Sequence, residues 1–202
     1  MSSDLELTFV SVTPEHWYEF EALLGGGQEC QGCYCMWLRV ADPHTFQANL
    51  GEGNREAMRA LIESGEVPGL LALAGEAPVG WVALGPRSDF PALDRFVEFT
   101  TTDAPEGPLW VCPCFYIHVG YRGRGVMTGL ISAAVAYARV QGAVALEAYP
   151  VEPDTALIPD GDAFGGLLPA FLSAGFELIG RNPTEAFAEH SVGLRPVVRY
   201  LL

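Results

Sequence analysis

The sequence contains no lysine, so all 11 of its basic residues are arginines, set against 25 acids for a net charge of −14. A chain so acidic repels nucleic acid and anionic membrane surfaces, which excludes both as expected partners. Long hydrophobic runs are also missing, since no window approaches the roughly 18 unbroken apolar residues of a membrane span. The opening segment Met1 to Leu7 carries acids where a secretion signal would carry basic residues ahead of an apolar stretch, so a cytoplasmic protein is expected. Cysteine is scarce and odd in number, five residues in two short clusters, unlike the disulfide framework of a secreted domain. Reduced thiols are the expectation. What the chain does have, 50% hydrophobic residues in a length of 202, suffices for one domain with a substantial core.

Alternation over residues 5–12 predicts a strand. Thr13-Pro14-Glu15 then predicts the start of a helix that reaches about Leu24 and ends at Gly25-Gly26-Gly27. Asn54 is expected to cap a helix over 55–64, which Gly65 terminates. Strands over 70–74 and 79–84, joined by Gly75 to Pro78, predict a hairpin. Residues 86–108 hold five acids and four prolines without a sustained period, which marks a surface insertion; a second is expected near 150–162. The remainder alternates: strand 109–119, helix 125–141, strand 143–149, helix 163–173, strand 176–180 and a final apolar run over 196–202. The fold class is therefore α/β, a single layered domain over 1–202 with a sheet covered by helices.

Tyr121-Arg122-Gly123-Arg124-Gly125-Val126-Met127-Thr128 joins an apolar strand to an apolar helix. Two arginines at a helix start oppose the macrodipole, at roughly 0.3 to 1 kcal/mol for each badly placed charge. A bound anion reverses that sign. First-turn N–H groups point outward, and Gly123 and Gly125 keep Cβ atoms out of the way, so the segment reads as a pyrophosphate cradle. The plain alternative is a solvated arginine pair in a tight turn. Gly123-x-Gly125-x-x-Thr128 followed by Glu147 also echoes a dinucleotide fingerprint, but only one helix and two strands follow Tyr149, too few for that fold.

Together with Val79-Gly80-Trp81-Val82 upstream and Ala174-Gly175-Phe176 downstream, this loop resembles the GNAT superfamily of N-acetyltransferases. In that family an Arg/Gln-x-x-Gly-x-Gly/Ala loop holds the pyrophosphate of acetyl-CoA; the match here is Arg122-x-x-Gly125-x-Met127, departing at Met127. The resemblance implies a mixed, mostly antiparallel sheet flanked by helices. It implies acetyl-CoA as cosubstrate, no metal, and direct transfer of acetyl to a primary amine in a ternary complex. Acetyl-CoA is then expected against Ile117, Val119, Arg122, Gly123, Arg124, Gly125, Val126, Met127 and Thr128. Phe171 stands where the family often has a tyrosine to serve the departing sulfur, and Phe164 where it often has an asparagine. These two residues and Met127 motivate the alternative of an acyl-CoA-binding sensor or partner-binding module with little or no transfer.

Acylating an amine needs its lone pair, and an ammonium of pKa about 10 costs roughly 4 kcal/mol to deprotonate at pH 7, so a base is expected. Strand periodicity puts Cys112, Cys114 and Tyr116 on one face of the fourth strand, and Glu147 and Tyr149 on one face of the fifth. Glu147 is the favoured base, with pairing to an arginine as the structural alternative. Tyr149 and Tyr116 are the further catalytic candidates, with wall-filling as the alternative; His118 reads as packing. Cys30-x-x-Cys33-x-Cys35 has part of a metal-ligand spacing, yet a closed zinc site needs four ligands, and Cys112 and Cys114 stand too far apart unless Pro113 bulges the strand. The resemblance implies that this first inter-helical loop covers the acceptor site, so the cluster is expected to be a thiol-rich, apolar substrate wall. Finally, Asp89, Asp94, Glu98, Asp103 and Glu106, with Glu152, Asp154, Asp160 and Asp162, leave the sheet near the end where the resemblance implies an acceptor cleft, which suggests an acidic rim and a cationic acceptor, small or peptide-borne; the equal alternative is that these acids simply keep a surface loop soluble. A homodimer is compatible with this reading.

Overall fold

Seven strands form one sheet: β1 (Thr8–Ser11), β2 (Gly69–Ala74), β3 (Ala77–Pro86), β4 (Leu109–Ile117), β5 (Ala145–Ala148), β6 (Glu177–Pro183) and β7 (Leu194–Leu201), in the order β1-β2-β3-β4-β5-β7-β6. The structure, a computed structural model, describes residues 5–25, 30, 32–96, 99–101, 103–152, 164–183 and 194–202. All its ladders are antiparallel except β4 with β5. On one face, α1 (Trp17–Gly25) and α3 (Glu52–Glu63) press Phe20, Met58 and Ile62 against Leu71 and Trp81. On the other, α4 (Val126–Val140) and α5 (Leu168–Ser173) bury Leu130, Ile131 and Phe171 against Val82, Phe115 and Leu146. The mixed sheet flanked by helices matches the fold class expected.

Several local expectations change. Asn54 does not cap α3, which starts earlier, at Glu52, behind Gly51. Asn54 is fully buried and its Nδ2 donates to the Gly32 carbonyl at 3.3 Å, tying the helix to the cysteine loop. An unforeseen helix, α2 (Pro43–Ala48), is capped by Asp42, whose carboxylate accepts from the N–H groups of His44 and Thr45. β4 ends two residues short of the expected 119, because His118 caps a 3-10 turn over Val119–Tyr121, its Nδ1 accepting from Gly120 N–H at 3.2 Å. The segment after β3 is not wholly a surface insertion, since Phe90, Ala92 and Leu93 are completely buried. The helix expected over 163–173 is shorter, starting at Leu168 behind extended Leu167 and left-handed Gly166, while Ala163 itself and 153–162 of the second insertion lie outside the described residues. Among the described residues no helix is long and apolar enough to cross a membrane.

β4 sets up the site through two irregularities. Its register with β3 runs from Ala83↔Cys114 to Gly85↔Val111, so β4 carries one extra residue there, a bulge at Cys112-Pro113 where proline has no N–H to offer the ladder. The bulge reverses the strand's parity: Cys112 packs on the α4 side while Cys114 and Tyr116 face the α1 side. This corrects the expectation that all three share a face. The parallel ladder with β5 covers only Leu109–Val111 against Ala145–Glu147, and where it stops the Cys112 thiol faces the Glu147 carbonyl at 3.6 Å.

Candidate active site

The link from β4 into α4 turns on Gly123 (φ +71°) and Gly125 (φ +81°), left-handed conformations that side chains rarely adopt. A Cβ at either would meet nothing within 4 Å, so both glycines leave open space beside their backbone. The first bond that closes the helix here runs from Gly129 N–H to Gly125 O at 3.0 Å, leaving the amides of Val126, Met127 and Thr128 at the positive end of a 15-residue helix. These residues wall a cavity of about 420 Å³ that extends along Phe115, Tyr116 and Ile117 of β4. Arg122 Nε donates to the Ile117 carbonyl at 3.2 Å, fastening the turn to the strand end.

Of the expected cofactor-binding residues, Ile117, Arg122, Gly123, Gly125, Val126, Met127 and Thr128 line this cavity. Val119 and Arg124 do not: Val119 is 63% exposed in the turn beyond β4, and the Arg124 guanidinium lies over the Tyr121 ring. Met127 is accommodated by Gly166, where a Cβ would collide with Met127 Cε. Phe171 faces away into the core, edge-on to Phe115 and Phe176 at 5.7 and 5.1 Å, so that position offers no group to a sulfur atom.

Tyr116 and Phe164, stacked at 6.5 Å, belong to the wall of this cavity and of a second one, about 160 Å³, on the α1 side of the sheet. Cys30, Cys33, Cys35 and Cys114 all line the second cavity. Tyr34 and Cys35 take positive φ values of 44° and 54°, a strain of roughly 1 to 3 kcal/mol each that persists only when the surroundings enforce it. Here Trp81 Nε1 donates to Cys35 Sγ at 3.0 Å, and Cys35 Sγ lies 3.8 Å from Cys114 Sγ. Burial pushes the Cys33 thiol up to about 12; the contact with Cys114, then burial, holds Cys35 well above its ordinary value. Both are neutral thiols at physiological pH. Among the described residues, no three His, Cys, Asp or Glu side chains converge as a metal site.

Glu147 is 1% exposed, and its Oε1 accepts from Arg199 Nη2 at 2.6 Å and Nε at 2.8 Å across the β5–β7 ladder. Burial raises its carboxyl above the usual range, and Arg199 pulls it partly back. Tyr149, equally buried, points its hydroxyl at Glu147 Oε2 (3.5 Å) and packs on Phe99; burial and the Glu147 charge push its phenol up. Neither residue lines either cavity, so of the three expected catalytic residues only Tyr116 belongs to the wall that both cavities share. Strand alternation placed Glu147 and Tyr149 on one face but carried no sign of Arg199. Sequence reasoning also missed Trp37 and Phe90 in the second cavity, whose only local signal is the aromatic density around the cysteines. Three acids of the expected rim are paired: Asp89 with Arg39, Asp94 with Arg87 and Glu152 with Arg181. Glu98, Asp154, Asp160 and Asp162 lie outside the described residues.

Known structures share this architecture. A GNAT-family acetyltransferase from Streptococcus pneumoniae superposes with a TM-score of 0.55 at 14% identity, covering 98% of this chain and 100% of its own. Arabidopsis thaliana NAA60 in complex with acetyl-CoA gives 0.52 at 12%, covering 98% and 100%. An agmatine N-acetyltransferase gives 0.58 at 10%, again covering 98% and 100%. A search of curated proteins returns no match. At such identities the structural likeness speaks for the fold alone. The pattern of the Acetyltransferase (GNAT) family, however, matches residues 35–159, well over half of the chain and including the β4 bulge and the glycine turn. The chain is a member of the GNAT acetyltransferase family.

Proposed function

We propose that the chain is an acetyl-CoA-dependent N-acetyltransferase that moves the acetyl group directly to a primary amine within a ternary complex. The observation that carries this reading is a pair of cavities that share Tyr116 and Phe164 as wall, one lined by a glycine turn at a helix N-terminus, the other apolar. The pyrophosphate would rest on the amides of 126–128, with Arg122 holding the turn and supplying charge. Pantetheine would follow β4 toward Ile117, along the edge left where the ladder with β5 stops. The amine then enters from the second cavity; its nitrogen bonds to the carbonyl carbon, the C–S bond breaks, nitrogen loses a proton and sulfur gains one.

Among the described residues no carboxylate or imidazole lines either cavity. The amine accordingly reacts as the free base drawn from solution, and Tyr116 donates to the departing sulfur. Glu147 and Tyr149 act as positioning residues that fix β5 against β7. A consequence is that kcat/KM should rise about tenfold per pH unit up to the acceptor's own pKa. A pH–rate series with two amines of different basicity checks this; an inflection common to both points to a base on the enzyme.

Calorimetric titration tests the cradle. Arg122→Ala and Gly125→Val should each weaken CoA and acetyl-CoA alike, by roughly tenfold to a hundredfold, as expected for losing a charge-assisted hydrogen bond. Unchanged CoA affinity in a folded Gly125→Val protein would refute it. Thiol release in the presence of amines separates a transferase from an acyl-CoA-binding sensor.

A further inference from the structure

The second cavity has a composition that selects among amines. Its walls combine cysteine thiols with Leu24, Leu38, Phe90 and Trp37, and among the described residues no charged side chain lines it. Guanidinium groups lie over two members of this wall: Arg39 over Phe90 at 4.2 Å, and Arg95 over Trp37 at 5.8 Å. Arg39 is also tied to the carbonyls of Pro68 and Leu84 and to Asp89, so that acid is already paired. A second positive charge on an acceptor would therefore be stripped of water in an apolar space flanked by arginines, which is strongly unfavourable. An apolar group loses nothing by entering. Size narrows the choice further, because an apolar cavity of about 150 Å³ accommodates one benzene ring.

From this we infer that the acceptor is a primary amine carried on a single compact apolar group, a ring or branched alkyl chain, and that diamines and guanidino-amines are excluded. The inference rests on the acetyl-transfer reading above and names its substrate class. It replaces the rim of acids as the source of selectivity: the reacting amine passes Tyr116 toward the thioester while the apolar body stays among the thiols.

The test compares 2-phenylethylamine and isoamylamine with cadaverine and agmatine, following thiol release from acetyl-CoA at one pH and one salt concentration. The apolar amines should show kcat/KM at least about thirtyfold higher, the scale expected from burying one ring or branched chain. Cys33→Phe, which fills the cavity, should raise KM for 2-phenylethylamine about tenfold or more, with CoA binding measured in parallel to verify the fold. Quenching of Trp37 fluorescence by 2-phenylethylamine in wild-type protein, lost in the Cys33→Phe variant, gives a readout that needs no turnover. A diamine that equals or exceeds the apolar amines, or a preference that survives Cys33→Phe, overturns the inference and leaves acetyl transfer standing. Absence of turnover with every amine, while CoA still binds, overturns the acetyl-transfer reading and this inference with it.

Discussion

Tyr116→Phe is expected to lower the kcat of acetyl transfer by about a hundredfold to ten-thousandfold, the range for losing a positioned proton donor, with CoA affinity nearly unchanged. The substitution keeps the ring that stacks on Phe164 and the wall that both cavities share, so only the hydroxyl is removed. Neither of the other two candidates replaces it: Phe171 is a core residue, and Tyr149 is sealed behind Phe99 and Glu147. Single-turnover thiol release measures the effect on chemistry alone. An acetyl thioester with a more acidic thiol should lose much less, because its sulfur departs without help. A variant rate within about threefold of wild type would remove Tyr116 from the chemistry and leave sulfur protonation to water.

Glu147→Ala should destabilise the protein by about 3 to 5 kcal/mol, the usual cost of leaving one partner of a buried pair alone. The abandoned partner is Arg199, whose side chain is only 11% exposed and spans from β7 to the Asp103 carbonyl. Glutamine retains an acceptor for Arg199 and should cost less. The double variant Glu147→Ala/Arg199→Ala should cost less than the sum of the single ones, which urea denaturation of the four proteins will show. The pH dependence has a definite sign. Because burial raises the folded-state pKa above the ordinary 4.5, this carboxyl favours the fold most below that value, and its contribution is lost as pH rises through the raised pKa. Wild type should therefore lose stability relative to Glu147→Gln as the pH is raised from 4 toward neutrality. Full stability of Glu147→Ala with a large loss of turnover would instead restore Glu147 as the base.

The parts of the site that were legible in the sequence are those made of contiguous residues. The glycine turn and its helix each occupy neighbouring positions, so local chemistry sufficed to locate them. The rest depends on partners that only the fold brings together. Glu147 meets Arg199 across 52 positions, and Cys35 meets Cys114 across 79, distances at which periodicity says nothing about pairing. Strand alternation was right for Glu147 and Tyr149 but failed for Cys112, because a single extra residue reverses every facing beyond it. Asn54 has the right chemistry for a cap, yet the left-handed Gly51 had already started the helix, and burial gave Asn54 a different partner. α2, with six residues, is too short to establish a period at all.

The ladder that stops at Val111 and Glu147 leaves the rest of β4 with β3 on one side and a cavity on the other. Amides of β4 beyond the ladder with β5 should exchange their hydrogens with solvent faster than those bonded to β3. A pantetheine arm laid along the edge would act as a short added strand and supply the missing acceptors. Binding should then slow exchange within 114–117 while leaving the β1–β2 ladder unaffected. It should also raise the melting temperature, since a ligand at about a hundred times its Kd adds roughly 2.7 kcal/mol to a fold that alone can bind it. In thermodynamic terms the cosubstrate of the proposed reaction would be a removable eighth member of the sheet, taken away at each turnover.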